Sequence, residues 1–299
     1  MRTIRGEHVL GKSIGKLIPY LFVAPVFICL IVLTLYPMLF GIVKSFYRYG
    51  GIHNEFIGLD NYIEVFRDKT FWFSMWNVFR FWMFMNICFC FPIVAAKLTC
   101  NIQNKMLQNF IRVLFLLPMV VPNTVTQMVW KFFYYPEIGV LAHLFEAIGR
   151  PYPDFLWNPH TTYWAICFVG FPWITGMNYI IYFTGLDGID RSLVEAAQID
   201  GAKGFTIFRK IELPMIAPQI KIFYISATMA QLMSYENILL LTKGGPNNAS
   251  MVPGLYMYNQ AFTGVEPRQG YSCAISLVLF AIVLFVSKVI FRNRGGDDD

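Results

Sequence analysis

The stretch EAAQIDGAKGFTIFRKIELP, Glu195–Pro214, is a compact polar insertion between two long apolar blocks. It carries three acidic and three basic residues in a chain of which only 14% is charged. We call residues 188–213 the polar insert. Helix-forming residues run to about Asp200, Gly201 can end that helix in the left-handed conformation, and a second amphipathic stretch runs to Pro214. The pattern predicts a short helix, a tight turn and a second short helix.

The blocks on either side belong to an apolar pattern that covers the whole chain. The 299 residues are 56% hydrophobic and only 14% charged. A soluble domain carries about 25% charged residues. We therefore predict an all-α polytopic membrane protein. A membrane-spanning helix needs about 20 largely apolar residues. Six predicted spans cover residues 17–42, 74–96, 111–133, 161–185, 214–241 and 271–291, which together form one transmembrane domain over 17–291.

The distribution of Lys and Arg predicts the orientation. With the N-terminus in the cytoplasm, fifteen of these residues fall in cytoplasmic segments and eight in external ones, while Arg80 lies near the end of a span. Cytoplasmic loops of membrane proteins carry such an excess. The asymmetry predicts cytoplasmic tails at 1–16 and 292–299. It also places the polar insert in the cytoplasm, between the fourth and fifth spans.

The sequence offers no catalytic or metal-binding constellation. The six cysteines form no CxxC pair, the four histidines are scattered, and no HExxH is present. The segment GEHVLGKS, Gly6–Ser13, fits the phosphate-binding pattern GxxxxGK[ST], but that loop needs a preceding strand and a following helix N-terminus. Here only five residues precede it and an apolar span follows. We predict no enzyme activity, no metal site, no cofactor bound by this chain and no nucleic-acid partner.

The residue types of the polar insert support two interpretations. Arg209 and Lys210 suit a loop that lies on anionic lipid headgroups. The small residues Ala196 and Ala197, beside Glu195, instead suit a surface on which another protein docks, because small side chains permit close approach and a carboxylate can fix register. The residues alone leave both interpretations open.

The polar insert also resembles the signature cytoplasmic loop of the membrane subunits of binding-protein-dependent ABC importers. That loop has the pattern EAA-x3-G, nine residues, then I-x-LP, and the form IDGA is found in sugar permeases. The matching positions are Glu195, Ala196, Ala197, Asp200, Gly201, Ala202, Ile211, Leu213 and Pro214. Many members have a proline near position 190, where this chain has Asp190.

Other segments extend the resemblance over most of the chain. FIGLDNY (Phe56–Tyr62) is similar to the FxGLxNY segment after the first span, and LTKGGP (Leu241–Pro246) to an LTxGGP stretch after the fifth. The third predicted span resembles that of sugar permeases at Arg112, Leu117, Pro118, Pro122 and Trp130. The oligosaccharide-type carbohydrate permeases, including subunits of maltose and glycerol-phosphate importers, are the family with these patterns.

The resemblance implies a function and a set of partners. It implies a permease subunit of an ATP-driven importer in the bacterial cell membrane. The nine matching residues would dock on an ATPase subunit as part of a coupling helix-turn-helix. ATP and magnesium would bind to a partner ATPase dimer. A second homologous permease subunit, an extracytoplasmic solute-binding protein and membrane lipid complete the implied partners.

The fourth and fifth predicted spans offer residues for a sugar site. In relatives these spans help to line the sugar pocket, and transporter sites usually lie near the bilayer midplane. The candidate residues grouped by helical spacing are Trp173 and Met177 in the fourth span, and Gln231, Ser234 and Tyr235 in the fifth, and Glu236 follows them as an acid within the span. An acid at membrane depth is a functional candidate, and Arg80 is the partner that we consider for Glu236. Ordinary helix packing is an equally good explanation for each single residue.

Two alternatives differ from a sugar importer. An ABC permease for glycerol-phosphate or another polar solute would need basic residues that face the cavity, and the spans offer little beyond Arg80. A secondary transporter that works without ATP would need ionisable residues deep in several spans, or two related halves in the chain. Neither pattern is visible, so an oligosaccharide importer is favoured.

Overall fold

The computed structural model describes residues 19–173 and 176–292, with side chains up to residue 288. The expected tail 1–16, the GEHVLGKS segment and residues 293–299 lie outside the described residues. Within the described part, the regular secondary structure is helical apart from one antiparallel two-stranded hairpin. The all-α prediction therefore needs one local correction, the hairpin just after the first span.

The chain divides into two compact units. The first contains the described residues up to Val65 together with Asn259–Leu277. Its elements are α1 (Pro19–Lys44), β1 (Tyr47–Gly50), β2 (His53–Phe56), most of α2 (Asp60–Arg67) and the adjoining parts of the last two helices. None of the most apolar part of α1 is buried. A helix that is apolar on all sides and uncovered by protein suits a lipid environment.

The FIGLDNY segment holds the hairpin to the end of α1. Asn61 is buried, and its Nδ2 donates to the backbone oxygens of Ser45 at 2.7 Å and Tyr47 at 2.9 Å. The hydroxyls of Tyr62 and Ser45 are 2.6 Å apart. These bonds satisfy backbone groups between the end of α1 and β1, where the chain leaves helical geometry. They give the Asn-Tyr pair of this segment a structural role.

The second unit contains Phe66–Tyr258 and the chain from Val278 onward. Its helices, with those shared between the units, are α3 (Lys69–Cys88), α4 (Cys90–Cys100), α5 (Lys105–Leu116), α6 (Asn123–Phe133), α7 (Val140–Ala147), α8 (Thr162–Phe168), α9 (Gly176–Asp187), α10 (Arg191–Ile199), α11 (Gly204–Ile207), α12 (Ala217–Met233), α13 (Glu236–Leu241), α14 (Pro253–Phe262) and α15 (Gln269–Arg292). A short 3₁₀ turn, Leu117–Val120, follows α5. A π-helical turn, Phe208–Glu212, and a short turn, Leu213–Met215, lie between α11 and α12.

Continuous helices cover three of the six predicted spans. Among the described residues, Pro19–Lys44, Lys69–Cys100 and Gln269–Lys288 are long and apolar enough to cross a membrane. The third predicted span is a pair of helices bent by 94° between Val120 and Asn123. The fourth is divided into α8 and α9, and the fifth into α12 and α13, so none of their helices reaches the required length alone.

Local chemistry explains the interruptions. Pro118 and Pro122 lie at the bend of the third segment, where proline removes helical N–H donors. In the fourth, Gly170 and Trp173 have positive φ angles of 81° and 59°. In the fifth, Ser234 is extended, with φ −69° and ψ 132°. Membrane proteins accept such interruptions where protein or a water-filled cavity surrounds the freed backbone groups.

Among the described residues, two of the apolar clusters in the second unit join helices that lie far apart in the sequence. One joins α4 and α9 through residues such as Ala96 and Tyr182, and Ile216 belongs to it. At this contact a Cβ on Gly185 would lie 3.0 Å from Ile216 Cγ2, so the glycine allows the close approach that small residues provide between membrane helices. The other cluster joins α3, α8 and α13 through residues such as Val78.

The LTKGGP segment forms a tight loop after α13. The hydroxyls of Thr242 and Ser250 are 2.7 Å apart, and Ser250 Oγ donates to Gly245 O at 2.8 Å. Asn77 on α3 donates to Met251 O at 2.9 Å. The loop is therefore fixed both internally and to α3.

Candidate functional site

A cavity of about 860 Å³ lies where the interrupted helices meet. The bend after α5 contributes Pro122, the break before α9 contributes Trp173, and the break before α13 contributes Ser234. The junction of α3 and α4 contributes Phe89. Irregular backbone at membrane depth is tolerated where it lines a cavity, and transporters bind their substrates at such discontinuous helices. Residues at the helix breaks therefore form part of the cavity wall.

The cavity is apolar with neutral polar groups, and no acidic or basic side chain is present among the described residues that line it. Aromatic walls come from residues such as Phe81, Phe84 and Trp173. The amide and hydroxyl side chains in the lining are Asn123, Thr126, Gln127, Asn178, Gln231, Ser234 and Asn237. Amides and hydroxyls both donate and accept hydrogen bonds, which matches the hydroxyl groups of an uncharged ligand.

Three of these amides form a row that connects α6 to α13. Asn123 Nδ2 donates to Asn237 Oδ1 at 3.1 Å, and Gln127 Nε2 donates to Asn123 Oδ1 at 3.4 Å. Gln127 is 4% exposed, and its Oε1 has no hydrogen-bond partner among the described residues. A buried acceptor without a partner is costly.

The indole of Trp173 is fixed in the aromatic wall. Its Nε1 donates to Cys167 O at 2.9 Å. Four phenylalanine rings lie with centroids between 4.9 and 5.7 Å from it, namely Phe84, Phe91, Phe168 and Phe171. A ring held on so many sides loses little freedom when a ligand stacks on it.

The structure places four of the six predicted sugar-site residues in one cavity. Trp173, Met177, Gln231 and Ser234 line it. Tyr235 does not, because its ring stacks on Tyr258 with centroids 5.7 Å apart.

Glu236 does not line the cavity, and Arg80 contacts Tyr163 instead of Glu236. Glu236 is exposed as the first residue of α13, and it is absent from the cavity lining. Arg80 lies over the ring of Tyr163 at 4.1 Å from its centroid. The break at Ser234 ends α12 before Glu236, so Glu236 does not continue the helix that carries Gln231.

Sequence reasoning missed Asn123, Gln127, Asn178 and Asn237. Their signal was present, since each is an uncharged amide within or beside an apolar segment. It could be recognised only once the bend at Pro122 placed α6 beside α13.

The polar insert begins with a side-chain cap. Asp190 precedes α10 and its Oδ1 accepts from Ser192 N at 3.0 Å. This backbone hydrogen bond stabilises the carboxylate and lowers the pKa of Asp190 below its usual value. A proline at a helix start fixes the backbone, whereas aspartate supplies a hydrogen bond, so this chain defines the start of α10 by different chemistry.

The turn of the polar insert is a Schellman motif centred on Gly201. Ala202 N donates to Ala197 O at 2.9 Å, and Gly201 N donates to Gln198 O at 3.0 Å. Gly201 has a φ of 81°, in the left-handed region that glycine adopts without strain. The sequence prediction of a helix that ends at Gly201 is confirmed.

The predicted docking residues spread over the insert. Glu195, Ala196 and Ala197 lie on α10, Asp200, Gly201 and Ala202 in the turn, Ile211 in the π-helical turn, and Leu213 and Pro214 in the turn before α12.

One side of the insert is buried and the other is apolar but uncovered. Val194, Phe208 and Leu213 pack against the cluster that joins α4 and α9. In contrast, Ile199 is 87% and Phe205 75% exposed. Exposed apolar side chains beside Glu195 and Asp200 form a surface suited to a protein partner.

The described residues contain no group of three or more His, Cys, Asp or Glu that could hold a metal ion.

Comparisons with known proteins agree with these features. Residues 88–294 match the family described as binding-protein-dependent transport system inner membrane component. A probable ABC transporter permease, YurN of Bacillus subtilis, is 30% identical over 91% of this chain and 94% of its own length. The sulfoquinovosyl glycerol transport permease SmoG of Agrobacterium fabrum is 27% identical over 93% of this chain and 90% of its own.

A solved structure has the same fold. A chain of a bacterial ABC transporter involved in the import of the acidic polysaccharide alginate superposes with a TM-score of 0.80 at 23% identity. The match covers 95% of this chain and 98% of that chain.

Proposed function

This chain belongs to the family of binding-protein-dependent transport system inner membrane components, and we propose that it is a permease subunit of an ATP-driven importer of a neutral oligosaccharide. The observation that carries the proposal is the uncharged, amide-lined cavity at the meeting point of three helix interruptions. Its volume of about 860 Å³ lies within the range of small-molecule sites.

The lining chemistry favours a neutral sugar over a phosphate ester. Among the described lining residues no Lys, Arg or His is present, whereas phosphate recognition relies on charge-assisted donors. The row Gln127, Asn123 and Asn237 offers donors and acceptors, and Trp173 offers a ring face. Relatives include permeases named for starch degradation products and for sn-glycerol-3-phosphate, so both substrate classes need a direct test.

The topology that we propose has six spans with both termini in the cytoplasm. The three continuous helices and the bent pair supply up to four spans by length. The divided segments α8–α9 and α12–α13 would supply the other two, with their breaks at the cavity. The excess of Lys and Arg supports a cytoplasmic polar insert.

In this proposal the polar insert is the coupling element. Its exposed surface around Glu195, Ile199 and Phe205 would sit in a groove of an ATPase subunit, which binds ATP and magnesium. The other proposed partners are a second homologous permease subunit and an extracytoplasmic solute-binding protein. The permease subunits would lie in the bacterial cell membrane. ATP-driven movement of the insert would open the cavity alternately to the two sides.

Co-purification tests the proposed partners. The full chain would be isolated from native membranes in mild detergent, alongside Glu195→Arg and the control Lys210→Gln in the same insert. We expect an ATPase subunit and a second permease with the native chain and with the control, and loss of the ATPase with Glu195→Arg. Because Glu195 is exposed, reversing its charge has little effect on folding.

Uptake into proteoliposomes tests the transport reaction and the substrate class. The purified complex and its binding protein would be supplied with maltotriose, lactose or sn-glycerol-3-phosphate, with and without ATP inside. ATP-dependent uptake of a neutral sugar supports the proposal. A chain that purifies alone and transports without ATP is a secondary carrier, and uptake of the phosphate ester alone overturns the neutral-substrate assignment.

A further inference from the structure

An ion pair joins the polar insert to α4. Lys97 Nζ lies 2.6 Å from Glu212 Oε1, although the two residues are 115 positions apart. The side chains are 23% and 9% exposed, respectively, so this contact is largely shielded from water. Exposed ion pairs are weak and variable, but a shielded, hydrogen-bonded pair has a defined geometry, and loss of one partner leaves a buried charge uncompensated.

The two partners occupy positions that can transmit force. Glu212 is the last residue of the π-helical turn Phe208–Glu212, directly before the turn that leads into α12. Lys97 lies in the last turn of α4, where a cation also interacts favourably with the helix C-terminus. The pair therefore connects the end of the insert to a helix that is distant in sequence.

The same helix reaches the cavity. Pro92 on α4 and Phe89 at its start both line the cavity. Lys97 is five residues beyond Pro92, which corresponds to about 7.5 Å along a helix. A displacement of the insert that moves Glu212 would therefore act on a rigid element that forms part of the cavity wall.

The Lys97–Glu212 contact has a defined geometry, whereas the neighbouring apolar contacts do not. The insert also packs on the α4–α9 cluster through Phe208 and Leu213, but apolar contacts can slide. Glu212 Oε2 is buried and has no hydrogen-bond partner among the described residues, so Lys97 holds the carboxylate through one oxygen.

We propose that the Lys97–Glu212 ion pair is a positioning contact that transmits movement of the polar insert through α4 to the cavity. The inference rests on the proposed function, because it assigns a path to ATP-driven transport. It predicts that loss of the pair separates ATP hydrolysis from sugar movement while leaving the ATPase bound, since the exposed docking surface around Glu195 and Ile199 is unchanged.

The test measures sugar transported per ATP hydrolysed by the reconstituted full complex. The variants are Lys97→Met, Glu212→Gln and the two together, with Lys210→Gln as a matched control that removes an exposed charge two residues away. We expect each single variant to lower the ratio about tenfold, within the usual range of coupling between sites. We expect the double variant to be no worse than the worse single, because interacting residues are non-additive.

The ratio distinguishes transmission from simple stability. A folding defect lowers the amount of complex but not the transport per ATP of the complexes that assemble. Assembled single variants with the native ratio overturn the inference. If the single variants do not assemble, Glu212→Asp decides, since it keeps the charge and shortens the side chain by one methylene: a reduced ratio supports the link, and a native ratio overturns it.

Failure of the proposed function would be visible separately. It would appear in the native chain, as uptake that does not depend on ATP or as the absence of an ATPase partner. The inference about Lys97 and Glu212 is tested only on the difference between the variants and a native complex that transports.

Discussion

At the scale of single residues, the stretch Glu195–Pro214 contains two glycines with different physical roles. A Cβ placed on Gly201 or on Gly204 would meet no atom within 4 Å. Only Gly201 has a positive φ, at 81°, whereas Gly204 begins α11. Space is available at both positions, so backbone conformation alone distinguishes them.

Gly201→Ala is therefore expected to weaken the turn, and Gly204→Ala is not. The left-handed conformation costs an L-residue about 1–2 kcal/mol, which corresponds to a factor of roughly 5–30 in the population of the native turn. We expect recovery of the ATPase with Gly201→Ala to fall by about fivefold or more. Gly201→Asn should retain more of it, because asparagine tolerates this conformation.

Co-purification from native membranes checks this expectation, with total chain recovered as the reference. Equal ATPase recovery with Gly201→Ala and Gly204→Ala would contradict it. That result would mean that the Schellman turn does not set the docking geometry.

At the scale of elements, close helix contacts depend on small residues. Gly185 on α9 faces Ile216 just before α12, and a Cβ there would lie 3.0 Å from Ile216 Cγ2. In α1, by comparison, a Cβ on Gly41 would lie at an ordinary 3.8 Å from Cys273 Sγ. The contact of Gly185 with Ile216 has no room for a larger side chain, whereas the contact of Gly41 with Cys273 has room for a methyl group.

Substitution at these glycines is expected to show that difference. Gly185→Leu should destabilise the chain by about 1–3 kcal/mol, the usual effect of overpacking. Gly185→Ala requires a shift of a few tenths of an ångström and should have a smaller effect, and Gly41→Ala should be nearly neutral. Thermal unfolding in detergent measures the series. A midpoint for Gly185→Leu equal to that of Gly41→Ala would show that α9 and α12 are not closely packed.

Element boundaries also show what sequence could and could not supply. The apolar runs of the first, second and sixth predicted spans correspond to continuous helices, because burial in lipid requires only length and composition. The interruptions in the other three were not predicted. They depend on how freed backbone groups are satisfied by neighbouring helices, which is a tertiary property.

At the scale of the whole molecule, the sequence predicts the turn of the polar insert better than it predicts the cavity. The turn at Gly201 follows from local rules, so its position was predictable. Trp173 and Gln231 were identified by helical spacing and by the resemblance, and both line the cavity. Asn123 and Asn237 are 114 residues apart, and only the fold brings them together. Local sequence carries no information about that pairing.

The amide pair Asn123 and Asn237 is expected to contribute to sugar binding. Asn123 and Asn237 are hydrogen-bonded at 3.1 Å beside the cavity, and each can still bond to a sugar hydroxyl. One hydrogen bond contributes about 0.5–1.5 kcal/mol, so Asn237→Ala should weaken sugar affinity by roughly two- to twelvefold. Asn123→Ala combined with Asn237→Ala should fall short of the product of the single effects, because the residues are in contact.

Transport assays at varied sugar concentration separate this role from a role in assembly. We expect KM to rise with Asn237→Ala while the ATPase remains bound, since the pair lies in the cavity and not on the polar insert. Thr124→Ala is the matched control, because Thr124 neighbours Asn123 on α6 but is exposed and does not line the cavity. An unchanged KM in both asparagine variants would mean that the sugar passes without contacting this row, and the aromatic wall at Trp173 would then have to provide recognition.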